Sequence, residues 1–167
     1  MMRAILIDAN SFSRGNMRAE VADALCLKSL KAISSKDTIL DDELWDAGAG
    51  LYRELLRNNK LIYVCTESVK KKTKQLKEIV RSNDPHVIAV AIASSANILV
   101  SNDHALGDDF KNCKSLDQKT GCKPNKQLGR NKDRKIICKT TSRKDVLRLL
   151  STASCKTNRC PCMETKR

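Results

Sequence analysis

The sequence predicts an α/β fold in which helices flank a central parallel sheet of four or five strands. Three observations lead there. Short apolar runs recur along the chain at 3–7 (RAILI), 61–65 (LIYVC), 98–101 and 135–139. None of them has a helical period, so each reads as a strand buried on both faces. The stretches between them carry apolar residues at helical spacing, and strands alternating with helices give a parallel sheet covered by those helices.

The elements follow in order. Residues 3–7 form the first strand, ended by Asp8. A helix is expected over 16–33, with Met17, Val21, Leu25 and Ile33 among its apolar positions, and a second over 40–57, with Leu44, Leu51 and Leu55. After the strand at 61–65, Thr66 or Ser68 caps a basic helix reaching Arg81. Asn83-Asp84-Pro85 starts the next helix, since proline is favoured at the first helical position. Almost wholly apolar to Ala96, that helix should be buried on most sides. The third strand, at 98–101, ends at Asn102-Asp103, and a short helix covers 104–111. A long polar stretch, 112–133, reads as a loop inserted before the last strand, and Ser142 and Ser151 bracket the final helix. Residues 1–153 therefore read as one domain, and 154–167 as a cysteine-rich basic tail without periodicity.

Charge narrows the partners. Residues 1–110 hold 15 Lys/Arg and 15 Asp/Glu, whereas 111–167 hold 17 Lys/Arg and four acids, which accounts for the whole net charge of +13. Such asymmetry points to a polyanion. With one Trp, two Tyr and two Phe, base stacking contributes little and phosphate contacts must dominate. Lys114, Lys119, Lys123, Lys126, Arg130 and Lys132 are the expected contacts in the 112–133 stretch. The longest apolar run is too short to span a bilayer, no export signal is visible, and the cysteines are expected to be reduced, so a cytoplasmic chain with no membrane partner is expected.

In parallel sheets the ligand site lies outside the carboxyl ends of the strands. Asp8 and Asp103 end strands and should share that edge, while the edge of Asp84 stays open. Taken singly, each acid has a structural role available: Asp84 and Asp103 as helix caps, Asp8 as a turn residue.

Four pieces together resemble the PIN-domain family of metal-dependent nucleases: Ile5-Leu-Ile-Asp8-Ala-Asn10, Leu51-Tyr-Arg-Glu54-Leu-Leu56, residues 83–92 (NDPHVIAVAI) and Ile98-Leu-Val-Ser-Asn-Asp103. The resemblance covers about residues 3–112. It implies a PIN-like three-layer fold and a divalent-metal-dependent endoribonuclease acting on RNA, or in some branches DNA. It also implies Mg²⁺ or Mn²⁺ held by Asp8 and Asp103, with Glu54 and Asp84 ligating or positioning water. Asp109 is a candidate fifth acid, and Asn10 and Asn102 are candidate donors to the carboxylates or to a scissile phosphate. The glutamate is the open position, because helix register could favour Glu43. An antitoxin-like protein partner follows only from family analogy.

Two other readings use the same residues. One is a catalytically inactive PIN-like RNA-binding protein; the other is a phosphohydrolase with Asp8 as nucleophile, for which Asn10 stands where a second aspartate is usual. Zinc on Cys155, Cys160 and Cys162 is a weaker expectation, because their spacing matches no standard pattern.

Overall fold

The computed structural model describes residues 2–121 and 133–156. Its strands are β1 (Ala4–Ile7), β2 (Lys31–Ser34), β3 (Leu61–Tyr63), β4 (Ile98–Val100) and β5 (Lys135–Ile137). They form one five-stranded sheet, all parallel, in the order β3-β2-β1-β4-β5. Among the described residues the flanking helices are α1 (Ala19–Leu27), α2 (Ile39–Arg57), α3 (Thr66–Leu76), α4 (Pro85–Ser94), α5 (His104–Lys111), α6 (Cys113–Lys119) and α7 (Arg143–Thr152). The α/β class and parallel sheet are as expected, and the architecture is consistent with a PIN-like three-layer fold. The chain starts at the centre of the sheet, moves out through β2 and β3, then crosses back to β4 and β5. The reversal leaves a crevice at the carboxyl ends of β1 and β4.

Every residue of β1 and β4 is buried, as strands covered on both faces require. The apolar helix α4 is buried along His86–Ile92 and packs against α3, α5 and α6. It stops at Ser95, whose left-handed backbone (φ 51°) ends the helical ladder.

Four expectations need correction. The helix expected over 16–33 is α1 followed by β2: Lys28 turns extended, and Ala32 and Ile33 are buried between β1 and β3. No glycine or proline punctuates that junction, so the apolar spacing ran on unbroken. The stretch at 112–133 is not all loop, because α6 buries Cys113 and Leu116 one helical turn apart and is tied to α3 by a Lys72–Asp117 ion pair of 2.8 Å. The basic helix ends at Leu76, short of Arg81. Cys65, expected as a reduced thiol, is disulfide-bonded, whereas Cys26, Cys113, Cys138 and Cys155 are free.

Packing also continues past residue 153. Cys155 is buried and pairs with Met2 in an antiparallel bridge, and the Lys156 amide donates to the Ser94 carbonyl.

One irregularity shapes the site. Gly48 interrupts α2 with a non-helical backbone (φ −159°, ψ 63°), and a Cβ there would lie 2.6 Å from the Phe12 carbonyl oxygen. The missing side chain lets the turn after β1, a single 3-10 turn at Ala9–Ser11, pack closely on α2.

Candidate metal centre

Asp8 follows β1 directly, its amide held by the Val100 carbonyl of β4 at 2.9 Å, so both central strands fix it. The residue is 5% exposed, and its carboxylate accepts hydrogen bonds from the Ser101 hydroxyl (3.0 Å) and the Asn10 backbone N–H. Burial raises its pKa above the ordinary aspartate value, and the nearby Asp103 and Glu43 carboxylates push the same way.

Asp84 stands at the start of α4. Its backbone carbonyl accepts from Val87, but its carboxylate makes no capping bond. Capping therefore does not account for the acid. Instead it lines a cavity of about 260 Å³ with Asp8, Asn10, Glu43 and Asp46, which puts it at the carboxyl edge of the sheet. Burial raises its pKa, offset in part by His86 and reinforced by Asp8, Glu43 and Asp103.

Asp103 takes the capping role available to it, accepting from the Leu106 amide at 3.0 Å. Its own amide donates to the Ser101 hydroxyl oxygen at 3.0 Å, so one buried serine ties Asp8 to Asp103.

The glutamate that lines the cavity with Asp8 and Asp84 is Glu43, not Glu54. In the first half of α2, Glu43 shares a hydrogen bond with His86 Nε2 across 2.8 Å, with Asp84 Oδ1 4.0 Å from the same nitrogen. Glu43, Asp84 and His86 each offer a ligand atom, and these atoms lie within 4.8 Å of one another. Glu54 pairs instead with Arg14 and receives the Cys26 thiol. Glu43 lines the cavity of Asp8 and Asp84, whereas Glu54 lines a different one with Gly50, Arg53, Arg57 and Asn58, so the two glutamates face different spaces.

Asp109 is also not brought to this cavity. It is 4% exposed, and its carboxylate accepts the Arg81 amide (3.0 Å) and the Ser82 amide (2.8 Å). There it anchors the turn that presents Asp84. Asn10 lines the cavity, whereas Asn102 accepts the Lys139 amide at 2.7 Å in a separate small cavity beside β5.

Lys114 and Lys119 lie exposed on α6, while Lys123, Lys126, Arg130 and Lys132 fall outside the described residues. Cys155 sits in the core, where burial raises its thiol pKa; Cys160 and Cys162 also fall outside. Among the described residues the acidic group is the one metal-compatible cluster, and no helix is long and apolar enough to cross a membrane.

Sequence reasoning missed His86 and Ser101 at the site. His86 lies two residues after Asp84, and Ser101 two before Asp103; spacing to the acids was the available signal. No protein-family model, curated protein or solved structure matches the chain.

Proposed function

We propose that this chain is a divalent-metal-dependent endoribonuclease of the PIN type. The observation that carries the reading is the convergence of Asp8, Asp84 and Glu43 on one cavity at the switch point of the sheet, with Asp103 tied to Asp8 through Ser101.

The donor set suits Mg²⁺ or Mn²⁺, which take carboxylate oxygens. The raised pKa values of Asp8 and Asp84 record carboxylates crowded away from water, a state that a cation relieves. Asp8, Asp84 and Glu43 would hold the ion, with Asp103 beside them and His86 as a nitrogen donor. When bound, such an ion polarises a phosphoryl oxygen and lowers the pKa of a coordinated water.

The remaining work falls to the chain itself. Ser101 fixes the Asp8 carboxylate, and Asp109 fixes the turn before Asp84. The side-chain amide of the exposed Asn10, which lines the cavity, is placed to orient a phosphate oxygen. Against the phosphohydrolase role, Asp8 is 5% exposed and one of its carboxylate oxygens is engaged by Ser101, which hinders the approach to phosphorus that a nucleophile needs.

The test is incubation with mixed RNA and DNA substrates in Mn²⁺, Mg²⁺ or chelator, alongside Asp8→Asn. Metal-dependent RNA cleavage should vanish with chelator and with the substitution. Undiminished cleavage by Asp8→Asn overturns the mechanism, and RNA binding without cleavage in any metal favours the inactive binding protein.

A further inference from the structure

The acidic cavity repels the substrate it is proposed to cut, so the grip must come from elsewhere on the molecule. A cleft of about 580 Å³ opens between α5, β5 and α7. Lys111 lines it from the end of α5, Arg134 and Lys135 from the start of β5, and Arg148 from α7. Lys111, Lys135 and Arg148 are exposed, whereas Arg134 is buried at the floor. Asp145 is the one acid in the lining, and its carboxylate is engaged by the Ser142 hydroxyl (2.9 Å) and by Arg148 (3.1 Å).

We propose that this cleft is a docking groove for the sugar–phosphate backbone of a single-stranded nucleic acid; as a subsite for cleavage it rests on the nuclease reading above. The cations are distributed over three elements, which fits a chain of charges better than one compact anion. Helix α5 starts beside the acidic cavity, where Ser101 bonds both Asp8 and Asp103, and ends at this cleft. Asp103 stands at its start and Lys111 at its end, about 12 Å apart along the axis at 1.5 Å per residue. That is within the span of a few phosphates, so one strand can touch both. With five aromatic residues in the whole chain, electrostatic contact is the principal grip that this composition permits.

The experiment uses the full chain in an Asp8→Asn background, with a fluorescent single-stranded RNA of mixed sequence titrated at several salt concentrations. Changing Lys111, Lys135 and Arg148 together to Gln should weaken binding. It should also reduce the magnitude of the log–log salt slope by about 2, at roughly 0.7 for each phosphate no longer neutralised. Asp145→Asn, which removes the acid from the lining, should tighten binding; this gain guards against mistaking a folding defect for a weakened grip. An unchanged slope in the triple variant overturns the proposal, as does weaker binding with the slope intact, since that reports damaged packing rather than missing charge. Cleavage by the protein with Asp8 restored is scored separately. Dependence on the three cations in a protein that cuts nothing keeps the groove and removes the nuclease reading, whereas cleavage with an unchanged slope does the reverse.

Discussion

Asp8 and Asp84 are carboxyls that folding makes harder to ionise, and the direction has a thermodynamic consequence. Their folded pKa values lie above the unfolded ones, so between the two the folded state binds more protons. Stability of the metal-free protein therefore falls as pH rises through that window, and the loss is complete above the folded pKa. Asp8→Asn removes one such group. In chelator its melting temperature should exceed that of the parent at neutral pH, and the gain should fade as the pH falls through about 4 and be gone by about pH 3, where aspartate is largely protonated in both states. Melts across pH check this; a variant less stable at neutral pH would show that the Ser101 bond outweighs burial. The glutamates give a second contrast. Glu43→Gln should weaken Mn²⁺ binding by about tenfold or more, a loss even outer ligand partners can produce. Glu54→Gln, acting on an ion pair with Arg14, should leave the affinity unchanged. Calorimetric titration of both variants decides between them.

At the scale of elements, the strand-ending acids were legible because apolar runs stop at them, and α4 was legible because Asp84-Pro85 punctuates its start. β2 was not, since nothing between Leu27 and Lys31 breaks the helical spacing; pairing with β1 and β3 decides it. Which glutamate lines the cavity was not legible for a related reason. Glu43 and Glu54 are eleven residues apart, about 20° on a helical wheel at 3.6 residues per turn, so register alone cannot separate them. Axial position separates them, and the break at Gly48 sets it by seating the Ala9–Ser11 turn against α2. Gly48→Ala places a methyl 2.6 Å from the Phe12 carbonyl, so the turn must retreat from α2. The variant should lose about 1–3 kcal/mol, the usual cost of overpacking, and should bind Mn²⁺ more weakly because Asp8 and Glu43 move apart. Urea unfolding with a parallel metal titration measures both. A stability loss with unchanged metal binding would confine Gly48 to packing.

Across the described residues, the acidic cavity and the basic cleft are lined by different sets of residues. The segment 111–167 carries the entire net charge of +13, while Asp8, Glu43, Asp46 and Asp84 line one cavity from the balanced segment before it. The charge imbalance is readable from composition. Its arrangement is not, because the cleft joins Lys111 to Arg134 and Lys135 only once β5 takes the edge beside β4. Burial, and to a lesser degree the neighbouring carboxylates, disfavours the ionised forms of Asp8 and Asp84, and an ion that binds only the folded state should stabilise the molecule by mass action. At a free Mn²⁺ concentration about a hundredfold above Kd the gain is about 2.7 kcal/mol, or about 5–10 °C in melting temperature for a chain of this size. Mn²⁺ should act at lower concentration than Mg²⁺, because an imidazole such as His86 favours the later metal. Scanning calorimetry without nucleic acid tests this independently of any cleavage. The shift should survive Glu54→Gln and disappear in the Glu43→Gln/Asp84→Asn double variant. If the double variant is stabilised as much as the parent, the ion binds elsewhere and the acidic cavity is not the metal centre.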